Sequence, residues 1–198
     1  TQAVSCPGVV AVLTGDDLSR DGIAGLRSRI ARKRADGSSH AEPPFPLLAT
    51  TRVSYVGFPL VAIVAETLSQ ALDATEAVVV DYESQPSITR TRDLLEKDAL
   101  RVWQEFPDNV CFVHEVGDEA RVEQALAEAV HRVTIDLDIS RVCANPMENR
   151  NALGEFDERT ERYTLTTGNQ MPHGLREELA AVLGIDQGEL RVLSPDIG

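Results

Sequence analysis

The stretch from Tyr163 to Gly184 carries the clearest pattern in the chain. Tyr163 and Leu165 alternate with Thr164 and Thr166, which predicts a strand with one buried face. The alternation breaks at Gly168 and Asn169, both turn formers. Pro172 suits the first turn of a helix, where its missing N–H costs nothing. Leu175, Leu179, Val182 and Leu183 then fall at i, i+4, i+7 and i+8, one apolar stripe, and Gly184 is a natural stop. The reading is strand, sharp turn, helix, with Leu190 to Leu193 as a final strand. Gln170 lies in the turn, at the strand end where α/β proteins place ligand groups. Its neutral amide can donate and accept. On spacing alone it serves either to tie down the turn or to meet a ligand.

Other segments are patterned in the same way. Val9 to Leu13 is a short apolar run followed by Thr14-Gly15-Asp16-Asp17, a strand and then a turn or helix start. Val53 and Tyr55 alternate, Gly57-Phe58-Pro59 turns, and Leu60 to Ala65 reads as a buried strand. Thr67 to Gln70 is a capping box for a helix with Leu68, Ala71, Leu72 and Thr75 on one face. Val78 to Tyr82 returns as a strand, completing a β-turn-β-α-β unit. Thr91 to Ala99 predicts a short helix, and Trp103 to Asn109 a linker. These signals divide the chain near residue 100, into 1–100 and 101–198. In the second part Phe112 to Glu115 is a candidate strand. Gly117-Asp118 caps a helix striped by Val122, Ala125, Leu126, Ala129 and Val130. Val133, Ile135, Leu137 and Ile139 alternate with polar residues as a two-faced strand. A strand pair follows near Ala152 to Asp157 and Arg162 to Thr167, joined by a charged turn. The fold class is α/β (α+β).

The net charge of −13 disfavours nucleic acid and anionic membrane as partners. No apolar run approaches a membrane span. Cys6, Cys111 and Cys143 are widely spaced without CxxC, which argues for a reducing, cytoplasmic setting and against a zinc site. The first residues, which lack Met, run almost at once into a strand, so a truncated chain is expected. Arg27, Arg29, Arg32, Lys33 and Arg34 interrupt the acidic background within an irregular stretch, residues 19–47. With no aromatic interleaved, a solvated, mobile excursion is favoured over an anion-binding patch.

Local catalytic motifs are lacking. The sequence holds no GxGxxG, GxxxxGK[ST], GxSxG or HExxH, and no sequence-local set of metal ligands among its four histidines. Asn145-Pro-Met-Glu-Asn-Arg150 is unusually polar for a plain loop, and Glu148 and Arg150 are spaced to pair and hold a turn.

Three stretches together resemble one family. Val53 to Thr67, running through Gln70 to Glu76 and Val80 to Glu83, is similar to the hammerhead domain of the molybdenum hydroxylase large subunits. These are the molybdopterin-binding subunits of xanthine dehydrogenase, aldehyde oxidase and aerobic carbon monoxide dehydrogenase. Asn145 to Arg150 is similar to the family's Pro-Met-Glu-x-Arg segment. Thr167 to His173, with Leu179 to Gly184 and Arg191 to Gly198, resembles the approach to its glycine-rich loop. Phe58 and Asn149 depart from the family pattern. The resemblance implies a hammerhead-like β-β-α-β domain over 1–100, its N-terminal strands expected to be missing. It implies the first part of a molybdopterin-binding α/β domain over 101–198, truncated at the glycine-rich loop. It makes Gln170 a catalytic and cofactor-binding candidate and Gly198 a cofactor-binding one, with no protein ligand to the metal. It implies a molybdenum–molybdopterin cofactor in the full-length subunit, and iron–sulfur and flavin (FAD) partner subunits or domains. The activity implied is hydroxylation of an electron-poor carbon, in an aldehyde or an N-heterocycle such as a purine, or oxidation of carbon monoxide. The family's catalytic glutamate lies beyond Gly198, so the fragment alone is expected to be inactive and without bound cofactor. Truncated edges are expected to favour a homo-oligomer. The alternative is a non-catalytic α/β assembly or interaction module.

Overall fold

A computed structural model describes residues 2–139, 142 and 144–197. In the first half β1 (Val9–Thr14) pairs antiparallel with β2 (Val61–Ala65), Thr14 opposite Val61 and Val9 opposite Ala65. The apolar runs at both positions are therefore strands, as their sequence predicts. Between them lie the short helix α1 (Gly15–Arg20) and a long irregular path. Thr14 and Asp17 close a reciprocal capping box on α1. Helix α2 (Leu68–Glu76) follows β2, and Thr67 caps it by accepting the Gln70 N–H.

The face that α2 buries differs from the predicted stripe. Leu68 and Leu72 are 76% and 57% exposed, whereas Ala74 is fully buried. The helix packs on β2, β1 and the N-terminal 3-10 turn Gln2–Ser5, where Ala3 is also fully buried. Alanine is the better fit where backbones approach closely.

Gly15 shows the same closeness in backbone form. A Cβ there would stand 2.7 Å from the Ala49 carbonyl oxygen and 2.9 Å from that of Leu48. Backbone cannot rotate aside, so Gly15→Val is expected to destabilise the chain by about 1–3 kcal/mol. Gly154→Ala, with nothing within 4 Å of the new carbon, is expected to stay within about 0.5 kcal/mol. Urea midpoints of the two variants check this, and equal midpoints would refute the steric argument.

In the second half the predicted strand pair forms as the hairpin β3 (Leu153–Asp157) and β4 (Arg162–Thr166), with Leu153 opposite Thr166. Its turn is held by Asp157, which accepts from the Arg159 N–H and the Thr160 hydroxyl; these bonds, the hydroxyl first, hold its carboxyl below the usual value. Helix α4 (Pro172–Leu183) crosses to β5 (Leu190–Leu193), which lies parallel to β4. Pro172 takes the first helical position, and Gly184 ends the helix in the left-handed conformation at φ +68°. Ala180, Val182 and Leu190 form the small core here, while Leu183 is 37% exposed at the rim of the predicted stripe. Helix α3 (Glu119–Glu128) starts, as its sequence predicts, at Asp118, which accepts the Arg121 N–H.

Four predicted strands and one predicted helix are not formed as expected. Val53 and Tyr55 form no strand; Tyr55 instead stacks on Phe58 with ring centroids 4.8 Å apart. Val78 to Tyr82 is not a strand, so the β-turn-β-α-β unit reduces to the β1–β2 pair with its helices. Phe112 to Glu115 contributes only a bridge between Val113 and Lys33. Val133, Ile135, Leu137 and Ile139 lie outside any strand and are 71–87% exposed. A strand is completed by a neighbour's hydrogen bonds, which alternation alone does not supply. Thr91 to Ala99 is helical only as a 3-10 turn, Thr91–Leu95.

The basic stretch is exposed but tethered, not a free excursion. Arg34 donates to both Asp108 carboxylate oxygens at 2.7 Å and to the Val110 carbonyl. The Arg34 bond, first among its causes, holds the Asp108 carboxyl below its ordinary value. Backbone bonds join Ala41 N–H to the Cys111 carbonyl and Val113 N–H to the Lys33 carbonyl.

Candidate functional site

The parallel register of β4 and β5 builds the turn that presents Gln170. Thr167 N–H donates to the Leu193 carbonyl at 3.0 Å, continuing the β4–β5 ladder past its last pair. One step on, Ser194 clasps Asn169 from both sides. Its Oγ accepts the Asn169 N–H at 3.0 Å and donates to the Asn169 carbonyl at 2.8 Å. Asn169 Oδ1 then accepts the Met171 N–H at 2.6 Å, closing a local side-chain turn at the entry to α4. The Thr167 hydroxyl donates to the Asn151 carbonyl at 2.7 Å, fixing the approach to β3.

Gln170 stands at the apex of this turn and is exposed. Neither its backbone N–H nor its side-chain amide has a partner among the described residues. The turn is therefore tied down by Thr167, Asn169 and Ser194, and the Gln170 amide is free for a ligand. Met171, which precedes α4, provides no side-chain cap. The first turn of the helix is thus left without a side-chain cap, a setting that favours anionic oxygen.

The polar segment found in sequence reaches this turn. An added Cβ at Gly168 would fall 2.7 Å from Glu148 Oε1 and 3.5 Å from Ile197 Cγ2. Glu148 therefore lies over bare backbone at Gly168, and the 195–197 segment closes in from the other side. Glu148, Asn151, Thr166, Thr167, Gly168 and Pro195 line an open cleft of about 340 Å³. The ion pair expected between Glu148 and Arg150 does not form among the described residues. Gly198 lies outside the described residues. A larger open groove of about 520 Å³, lined by Leu60, Val61, Thr75, Val78, Val80 and Tyr82, is mostly apolar and lies where the predicted third strand does not form.

Sequence reasoning missed Ser194, Asn169 and Thr167 as the residues that hold the site. Asn169 was visible as a turn former. The part played by Ser194 depends on the parallel partner of β4, which no local pattern specifies.

Similarity to known proteins covers both halves. Residues 1–86 match the family described as aldehyde oxidase and xanthine dehydrogenase, a/b hammerhead domain. Residues 102–198 match the molybdopterin cofactor-binding domain. The nicotine 6-hydroxylase large subunit of Paenarthrobacter nicotinovorans is 31% identical, over 99% of this chain and 23% of its own length. The carbon monoxide dehydrogenase large chain of Hydrogenophaga pseudoflava is 26% identical over 99% of this chain and 24% of its own. Quinoline 2-oxidoreductase from Pseudomonas putida 86 superposes with a TM-score of 0.84 at 28% identity, over all of this chain and 24% of that one. The chain thus spans about a quarter of the length of these relatives. With hammerhead and cofactor-binding segments in this order, the chain belongs to the molybdopterin-binding large subunits of the xanthine dehydrogenase and aldehyde oxidase family.

Proposed function

We propose that this chain is part of the catalytic subunit of a molybdenum-dependent hydroxylase. The reaction is hydroxylation of an electron-poor carbon, in an aldehyde or an N-heterocycle, or oxidation of carbon monoxide. The observation that carries the proposal is the free Gln170 amide at the β4–α4 turn, held from behind by Ser194 and Asn169. The residues present fit an oxygen-rich anionic cofactor. The uncapped start of α4 offers N–H donors. When bound, molybdenum–molybdopterin supplies the redox chemistry at the substrate carbon. Gln170 orients an oxygen of the cofactor or substrate by hydrogen bonding, and as a neutral amide it does so without titrating. Ser194 and Asn169 keep that amide in place. Gly198 belongs, on this reading, to the cofactor-binding backbone. The unit boundary falls near residue 100, between the hammerhead part and the cofactor-binding part. Iron–sulfur and flavin partners carry the electrons away, in the cytoplasm.

The test is metal and pterin analysis of the full-length polypeptide that contains this chain. Close to one molybdenum per polypeptide is expected, and a pure, folded product without molybdenum would overturn the proposal. The assembly-module reading is favoured by the apolar surface left open at residues 133–139, and it predicts subunit contacts but no metal.

A further inference from the structure

We propose that the basic segment is a strap that fixes the turn carrying Gln170, with Arg29 as its positioning residue. One end of the strap is fastened to the segment after residue 100. Arg34 grips Asp108 through both carboxylate oxygens, and its own side chain is only 14% exposed. The other end is fastened to α4. Ala24 N–H donates to the Val182 carbonyl at 3.0 Å. Arg29 Nη2 donates to the Gly174 carbonyl at 2.9 Å and stands 3.3 Å from Glu178 Oε2. Two of the five cations are thus engaged within the chain, which leaves a poor site for an outside anion.

Gly174 explains why the contact is possible. Glycine is among the poorest helix formers, yet it sits in the first turn of α4. A Cβ there would stand 3.1 Å from Arg29 Nη1 and 3.4 Å from Met171 Cε. Its absence lets the guanidinium lie against the helix. The first turn lacks a side-chain cap, so Arg29 braces it from outside by joining residues 174 and 178, one helical turn apart. Gln170 lies four residues before Gly174, across the Asn169–Met171 bond. A loose first turn would slacken the turn that the Ser194 bonds to Asn169 hold, and with it the position of Gln170.

The brace stands on its own contacts; only its consequence for turnover rests on the reading of Gln170 given above. The experiment uses the full-length holoenzyme and three readouts: amide hydrogen exchange, molybdenum content and kcat with KM. In Arg29→Met, exchange at Leu175 to Glu178 is expected to rise about fivefold, as for an exposed but well-placed ion pair. Molybdenum content and KM stay the same while kcat falls, and Arg29→Lys restores part of both. Arg34→Met quickens exchange near residues 106–113 and raises exchange in α4 less than Arg29→Met does. Unchanged exchange in α4 of Arg29→Met overturns the strap. Faster exchange with unchanged kcat, where Gln170→Ala does lower kcat, overturns the positioning role. If neither variant lowers kcat while exchange still responds, the strap stands and the reading of Gln170 falls. If Arg29→Met does not accumulate, Arg29→Lys gives the same readings at smaller amplitude.

Discussion

Gln170→Ala in the full-length subunit is expected to lower turnover about 10- to 100-fold while molybdenum stays bound. That range is one hydrogen bond to a charged group, worth about 1.5–3 kcal/mol, converted to rate. The turn does not depend on this side chain. Its restraints run through Thr167, Asn169 and Ser194, and Gln170 is exposed without a partner among the described residues. Truncation therefore removes a donor without unfolding the turn that carries it, and the variant should melt with the parent. Gln170→Glu is a sharper probe. It keeps the size but sets a carboxylate where an anionic oxygen would sit, and turnover should fall at least as far. Steady-state turnover per bound molybdenum is the measurement. A variant that binds molybdenum and turns over at the parent rate would remove Gln170 from the site.

The difference between Gln170 and Ser194 shows where sequence stops being readable. The signals that predict the β4–α4 turn and its helix are local: alternation in β4, Gly168 and Asn169, Pro172, the apolar stripe, the terminal glycine. Each names its own conformation through φ preference or periodicity, and each is found in place. Ser194 and Glu148 reach the turn from 25 and 20 residues away, through a parallel ladder and a loop path. No periodicity encodes such meetings. The stripe on α2 fails for a related reason. Leu68 and Leu72 are the larger apolar residues, but Ala74 is the one that is buried. Hydropathy identifies apolar residues, and the separation between elements decides which of them fit. The arginines at 29 and 34 are the converse case. They read as solvated charge because their partners, Asp108 and α4, lie 74 residues or more away.

The alternating residues Val133 to Ile139 form no strand and stay exposed, and this leads to the second large effect. The chain exposes 16,321 Å². A compact monomer of 21.6 kDa would expose about 9,200 Å². The excess is several times the area of a standard protein interface, about 1,600 Å². Much of it is apolar: Val133, Ile135, Leu137 and Ile139 stand clear of other residues, as do Val122 and Leu126 on α3. The backbone groups of residues 133–139 lie outside any ladder, and unpaired backbone beside exposed apolar side chains adds readily to another copy of itself. The 198-residue chain is therefore expected to be a dimer or larger in solution, increasingly so with concentration. Leu137→Asp should weaken that association about tenfold or more, because burying a leucine contributes about 1.5–3 kcal/mol and an unpaired carboxylate in the contact opposes it further. Light scattering across a dilution series measures both. A parent chain that stays monomeric throughout would mean that these apolar residues fold back on their own chain, contrary to the exposure seen at residues 133–139.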